Sequence, residues 1–164
     1  MNKTLAEAIV TLKTEFVKKN ESSNHINEII PSLPESLSID EHELEMLHKF
    51  AECNSIYSDS YEMEILDIVC RVYHGDMNNF WLDSIKHDTS YTPFYPVWIL
   101  SAYALALESK NIGAKQLIDI GSGDGRIAYC ARIVGLKSYG IEIDENLVSL
   151  ENEILANTGV DFSQ

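Results

Sequence analysis

QLIDIGSGDGRIAYCARIVG, residues 116–135, decides the fold. QLIDI is a short apolar run rich in β-formers. Gly121, Gly123 and Gly125 then alternate with small or polar residues, and Ile127, Ala128, Ala131 and Val134 recur at helical spacing up to Gly135. Strand, glycine loop, helix is the context in which such a loop holds a ligand. Glycine reaches positive φ and lets the backbone approach a ligand with no Cβ in the way. The first N–H groups of the following helix favour an anionic group there, a carboxylate or a phosphate.

Downstream, KSYGIEI (137–143) predicts a second strand, ENLVSLENEILANTG (145–159) a second helix, and VDFSQ (160–164) the start of a third strand. Alternating β-α-β-α-β is the signature of a parallel sheet with crossover helices. Asp119 closes the first strand. Glu142 closes the second, about 20 residues on, where dinucleotide sites put a ribose-binding acid. The spacing then discriminates between ligands. A dinucleotide fingerprint GxGxxG needs glycine at 126, where Arg126 stands, and the glycine falls at 125 instead. Asp119 and Asp124 add negative charge where a pyrophosphate would sit, and no GK[ST] follows for a Walker A loop. A nicotinamide-dependent oxidoreductase is disfavoured on these grounds.

Upstream, YTPFYP (91–96) is extended or turn-like, because a residue before proline is pushed out of the helical region. A helix is expected from about residue 97 to 109, broken by 111–113. The residues before that read as all-helical. Leu5, Ile9, Leu12 and Phe16 make the stripe of a first helix, and Pro31 and Pro34 mark a linker. Asp40 with Glu43 opens a second helix through Leu44, Leu47 and Ala51. Ser60 opens a third with Ile65, Ile68, Val69 and Val72 inward and Gly75 as its C-cap. Asp76 caps a short fourth carrying Phe80, Trp81 and Ile85. The expected organisation is therefore a helical domain over 1–88 and an α/β domain over 89–164.

Composition limits the partners. The net charge is −14, with 7 Lys/Arg against 17 Asp/Glu up to Asp88 and 5 against 9 beyond it. Such a surface repels phosphate backbones, so protein is favoured over nucleic acid as a partner, although acidity also serves solubility. Cys53, Cys70 and Cys130 form no CxxC, and the five histidines form no HxxxH pair, so neither a disulfide framework nor a metal site is expected. The uncharged stretch between Asp88 and Glu108 leaves only VWILSAYALAL as its apolar part, about half of the roughly 20 residues a spanning helix needs. The protein is expected to be soluble and cytoplasmic, with no membrane contact.

IDIGSGDGR followed by YGIEIDENL resembles motif I and the second-strand motif of the class I S-adenosylmethionine-dependent methyltransferases. YTPFYP, with its YxP, is similar to the segment before motif I in the archaeal and mitochondrial protein-lysine methyltransferases, which share the DxGSGDGR form of the loop. The resemblance covers about Tyr91 to Gln164 and leaves the first half unmatched. It implies the first half of a Rossmann-like methyltransferase sheet, with S-adenosylmethionine as cofactor and a protein, lysine first, as methyl acceptor. Gly121, Ser122, Gly123 and Gly125 would wrap the methionine part, Asp119 would orient its amino group, and Glu142 would accept from both ribose hydroxyls. Tyr91 and Thr92 would fold over the cofactor.

Each assignment has a plain structural rival. Asp119 and Asp124 can cap the loop, Glu142 can be a solvated strand end, and Tyr91 and Trp98 can pack between the halves. Arg126 reads as structural. The family's acid after strand 3 and its substrate segment after strand 4 have no counterpart before Gln164. The chain is thus expected to be the N-terminal part of a longer methyltransferase, inactive alone, with no residue assigned as catalytic. The competing expectation is a non-catalytic interaction module that self-associates through the open sheet edge or the helical half.

Overall fold

The computed structural model describes residues 4–20, 25–76 and 94–160. Helix α1 (Leu5–Lys19) opens on a capping box. Thr4 Oγ1 accepts from the Glu7 N–H, and Glu7 Oε2 accepts from the Thr4 N–H at 2.9 Å. Ile9, Leu12 and Phe16 form its buried stripe, as the spacing predicts. Helix α2 (Glu41–Cys53) follows its expected cap, Asp40, whose carboxylate accepts from the N–H groups of His42 and Glu43.

The expectation of an all-helical first half is overturned. Three antiparallel strands, β1 (His25–Pro31), β2 (Asp59–Ile65) and β3 (Ile68–Asp76), form a sheet in the order β1-β3-β2. The segment read as a third helix is a hairpin. Ile65, Ile68, Val69 and Val72 satisfy a helical spacing, yet the residues around them alternate. Ile65, Cys70 and Val72 are buried, while Glu62, Glu64, Val69 and Arg71 are exposed. The two-residue turn is Leu66–Asp67 at φ of 52° and 62°, the positive-φ pair that matches strand twist in a tight hairpin. No Asn-Gly or Asp-Gly announces it, which is why periodicity alone misleads there. The residues before Pro31, read as running into a linker, are the edge strand β1, and Pro31 ends it where a missing N–H is tolerated.

Gly75 is not a helix cap either. It lies in β3 under the backbone of Ile56, and a Cβ there would stand 1.8 Å from the Ile56 carbonyl oxygen. The expected fourth helix, with Phe80, Trp81 and Ile85, lies outside the described residues, as do Tyr91 and Thr92.

The second half follows the expected alternation as far as it is described. Helix α3 (Ile99–Asn111) precedes strand β4 (Gln116–Ile120), helix α4 (Arg126–Ile133), strand β5 (Lys137–Ile141) and helix α5 (Glu145–Thr158). β4 and β5 pair in parallel, Leu117 opposite Ser138 and Asp119 opposite Gly140. Asp144 caps α5, and Gly159 ends it in the left-handed region. Of the expected third strand, Val160 is outside any strand and 161–164 lie outside the described residues.

The molecule is thus mixed α/β throughout. One core runs across both halves. Phe50 of α2 packs on Tyr129 of α4 with ring centroids 4.9 Å apart, and the Tyr129 hydroxyl donates to the Met46 carbonyl at 2.8 Å. Among the described residues nothing covers one face of the parallel pair, where Ile118, Ile120, Tyr139 and Ile141 are all exposed. Among the described residues no helix is long and apolar enough to cross a membrane.

Candidate functional site

The loop between β4 and α4 is built on left-handed backbone. Gly121, Gly123 and Gly125 have φ of 78°, 59° and 78°, a region that carries a steric cost for any residue with a Cβ. The turn is closed by the Gly125 N–H donating to the Ser122 carbonyl at 2.9 Å. It is tied to β5 by the Gly121 and Ser122 N–H groups, which both donate to the Ile141 carbonyl. Two of these positions also exclude a side chain by contact. A Cβ on Gly123 would lie 2.4 Å from the Phe94 ring, and one on Gly125 2.6 Å from the Glu151 carboxyl. Gly121 faces open space, with nothing within 4 Å of its missing Cβ. The loop therefore has one packed side and one side a ligand can reach.

Glu142 meets the loop directly. Its Oε2 accepts from the Gly123 N–H at 2.8 Å, and its Oε1 accepts from the N–H groups of Ile143 and Asp144 at 2.7 and 3.0 Å. The spacing read from the sequence therefore brings the second-strand acid to the glycine loop, half-buried. Asp119 is half-buried at the end of β4. Burial first, then the charges of Glu142 and Asp124, hold its carboxyl above the usual range. Glu151 of α5, which accepts from the Ser122 hydroxyl at 3.4 Å, is raised by burial and by Asp124, Asp119 and Glu142. Three carboxylates thus repel one another around the loop, a field that favours a cation. Glu142 and Glu151 also line an open cavity of about 480 Å³ between β5 and α5, within the size range of ligand pockets.

Asp124 and Arg126 have another destination. Both are buried, and Arg126 Nε donates to Asp124 Oδ1 at 2.9 Å while its Nη2 donates to Asp124 Oδ2. Asn54 Nδ2, at the end of α2, donates to the same Oδ2 at 2.9 Å. Arg126 Nη1 donates to Glu28 Oε2 at 3.2 Å and to the Val97 carbonyl, and Nη2 donates to the Tyr57 hydroxyl at 3.3 Å. Arg126 reads as structural, and Asp124 is a buried anchor held by Arg126 and Asn54.

The roles implied for Ser122, Gly121, Gly123, Gly125, Asp119 and Glu142 fall on residues that the structure gathers in one place. Tyr91 and Thr92 lie outside the described residues, and Phe94 is the aromatic that sits on the loop. Sequence reasoning missed Phe94, Glu28, Asn54 and Tyr57. Phe94 lies inside the YTPFYP segment already singled out. Glu28 carried one signal, an acid enclosed by Ile26, Ile29 and Ile30, legible only once the stretch is known to be a strand. Among the described residues no cluster of His, Cys, Asp and Glu could hold a metal ion, and the three cysteines form no disulfide. No family model, curated protein or solved structure matches the chain.

Proposed function

We propose that this chain binds S-adenosylmethionine on the loop 121–125 and serves as the cofactor-binding part of a methyltransferase, with a protein, lysine first, as the methyl acceptor. The observation that carries the reading is the Gly123–Glu142 junction. A left-handed three-glycine loop between a parallel strand and a helix is joined there to the acid that ends the neighbouring strand. The residues present fit the cofactor. Gly121 leaves room on the reachable side, Asp119 offers a carboxyl to an ammonium group, and Glu142, which already accepts three backbone N–H groups, keeps one acceptor site on Oε2 for a ribose hydroxyl. The field of Asp119, Glu142 and Glu151 suits a ligand carrying a sulfonium and an ammonium. When bound, that group supplies a methyl to a nucleophile held in line with it. The residues of this chain bind and orient; none is assigned a catalytic role.

The acidity of the surface favours a protein acceptor over nucleic acid, and a cytoplasmic location goes with that reading. The deciding experiment is calorimetric titration with S-adenosylmethionine and S-adenosylhomocysteine, with Gly123→Val as control. Saturable binding that is lost in the control is expected. A folded wild-type chain that binds neither compound, or binds NADH instead, would overturn the reading.

A second reading has its own observation. Ile118 pairs with Tyr139 and Ile120 with Ile141 on a face of a parallel sheet that no described residue covers, and parallel sheets are ordinarily covered on both faces. A non-catalytic module that self-associates through this face would sediment as a dimer without binding the cofactor.

A further inference from the structure

We infer that Glu28, on the N-terminal antiparallel sheet, is a positioning residue for the glycine loop, acting through Arg126 and Asp124. The cofactor reading above enters only in naming the ligand.

Glu28 is 1% exposed. Its Oε2 takes donors from two different elements, the Ile99 N–H that opens α3 at 2.8 Å and Arg126 Nη1 at 3.2 Å. The first contact gives α3 the N-terminal partner that Trp98, its N-cap residue, does not provide. The second holds the guanidinium whose other edge grips Asp124. Asp124 stands between Gly123 and Gly125, both left-handed, so the path of the loop follows wherever that carboxylate is held. Asn54 fixes the same carboxylate from the end of α2, Tyr57 closes the guanidinium edge, and the Phe50 ring lies 5.6 Å from it. The first half of the chain therefore reaches the loop through side chains from β1, from the end of α2 and from the turn after it.

Stability alone does not account for this arrangement. Buried ion pairs are commonly neutral or unfavourable against apolar replacements of similar volume. Here two carboxylates share one guanidinium, and Glu28 Oε1 has no hydrogen-bond partner. A costly arrangement whose far end is the ligand loop is what a positioning role requires, since binding groups are held by a supporting shell of hydrogen bonds.

The test is amide hydrogen exchange of the ligand-free chain at pH 8, wild type against Glu28→Gln, with S-adenosylmethionine titrated into each. Glu28→Gln keeps the volume and a carbonyl acceptor but removes the charge that holds Arg126. Exchange of the amides of 121–127 should rise by roughly ten-fold, with no acceleration in α1 or the β2–β3 hairpin, and affinity should fall by a similar factor. Acceleration spread over the whole chain would reduce Glu28 to a stability residue and overturn the inference, as would loop exchange equal to wild type. If wild type binds neither S-adenosylmethionine nor S-adenosylhomocysteine while loop exchange still rises, the ligand reading fails and the positioning role stands. Should Glu28→Gln not fold, Tyr57→Phe removes one acceptor from Arg126 and keeps the ring. Its loop exchange should rise by a smaller factor, and an unchanged loop in that folded variant overturns the inference.

Discussion

Glu28→Gln should change how stability depends on pH, and the size of the change follows from the site. Burial pushes Glu28 up to about 7, against the pull of Arg126 and of the Ile99 N–H group, from an ordinary 4.5. A carboxyl raised in this way ionises in the unfolded chain before it ionises in the fold. Below pH 4.5 it is protonated in both states and costs nothing. As pH rises through 7 the folded chain must ionise it too, and about 3 kcal/mol of stability is lost over that window. Glutamine carries no such linkage. Urea unfolding of both proteins at intervals from pH 5 to 8 isolates the effect, because the other titrating groups are common to both and cancel in the difference. The stability of Glu28→Gln relative to wild type should rise by roughly 2–3 kcal/mol across that range. A flat difference would refute the reasoning. A falling one would mean that Arg126 outweighs burial and that Glu28 is ionised in the fold well below pH 7.

Gly75→Ala should destabilise the N-terminal sheet by roughly 2–4 kcal/mol in chemical denaturation, because the new Cβ meets backbone that cannot move aside, the Ile56 carbonyl. Gly123→Ala should cost about 1–2 kcal/mol for the left-handed backbone alone, before displacement of Phe94, and calorimetry should show cofactor binding lost while circular dichroism stays native. Affinity for S-adenosylmethionine should fall as the pH is lowered, because burial and the charges of Glu142 and Asp124 make the Asp119 carboxyl take up its proton above the usual carboxylate range, and Asp119→Asn should flatten that profile.

What the sequence made legible divides by how local the cause is. The strand-loop-helix unit at 116–135 is set by neighbours in the chain, with β-formers, then glycines, then a helical stripe, so its elements and the place of Glu142 could be read directly. The cap Asp40 is equally local. The hairpin Asp59–Asp76 is not. Its apolar residues satisfy helical and strand spacing alike, and the choice is made by β1, which arrives from more than thirty residues upstream to pair with β3. Local pattern cannot weigh a partner that distant, and the turn residues Leu66 and Asp67 are poor advertisements for positive φ. Glu28, Asn54 and Tyr57 were missed for the same reason. Each is unremarkable within its own segment and acquires a role only where Arg126, itself 98 residues from Glu28, crosses to meet it.

Under the proposed cofactor reading, the electrostatics of the loop should separate S-adenosylmethionine from S-adenosylhomocysteine. S-adenosylmethionine carries a sulfonium that S-adenosylhomocysteine lacks, while their nucleoside and amino-acid parts are the same. Asp124 is paired with Arg126 on the packed side, and its charge still adds to the repulsion among Asp119, Glu142 and Glu151 around the loop. Burial and mutual repulsion raise two of those carboxyls, and a cation placed among them relieves that repulsion. S-adenosylmethionine should therefore bind more tightly than S-adenosylhomocysteine, and added salt should narrow the gap, because the partly exposed carboxylates are screened within about 10 Å at 0.1 M. Titrating both compounds at low and high salt measures this. Equal affinities at low salt would mean that the carboxylates do not face the sulfonium. The ligand would then be held by the left-handed backbone and the Glu142 end of β5 alone.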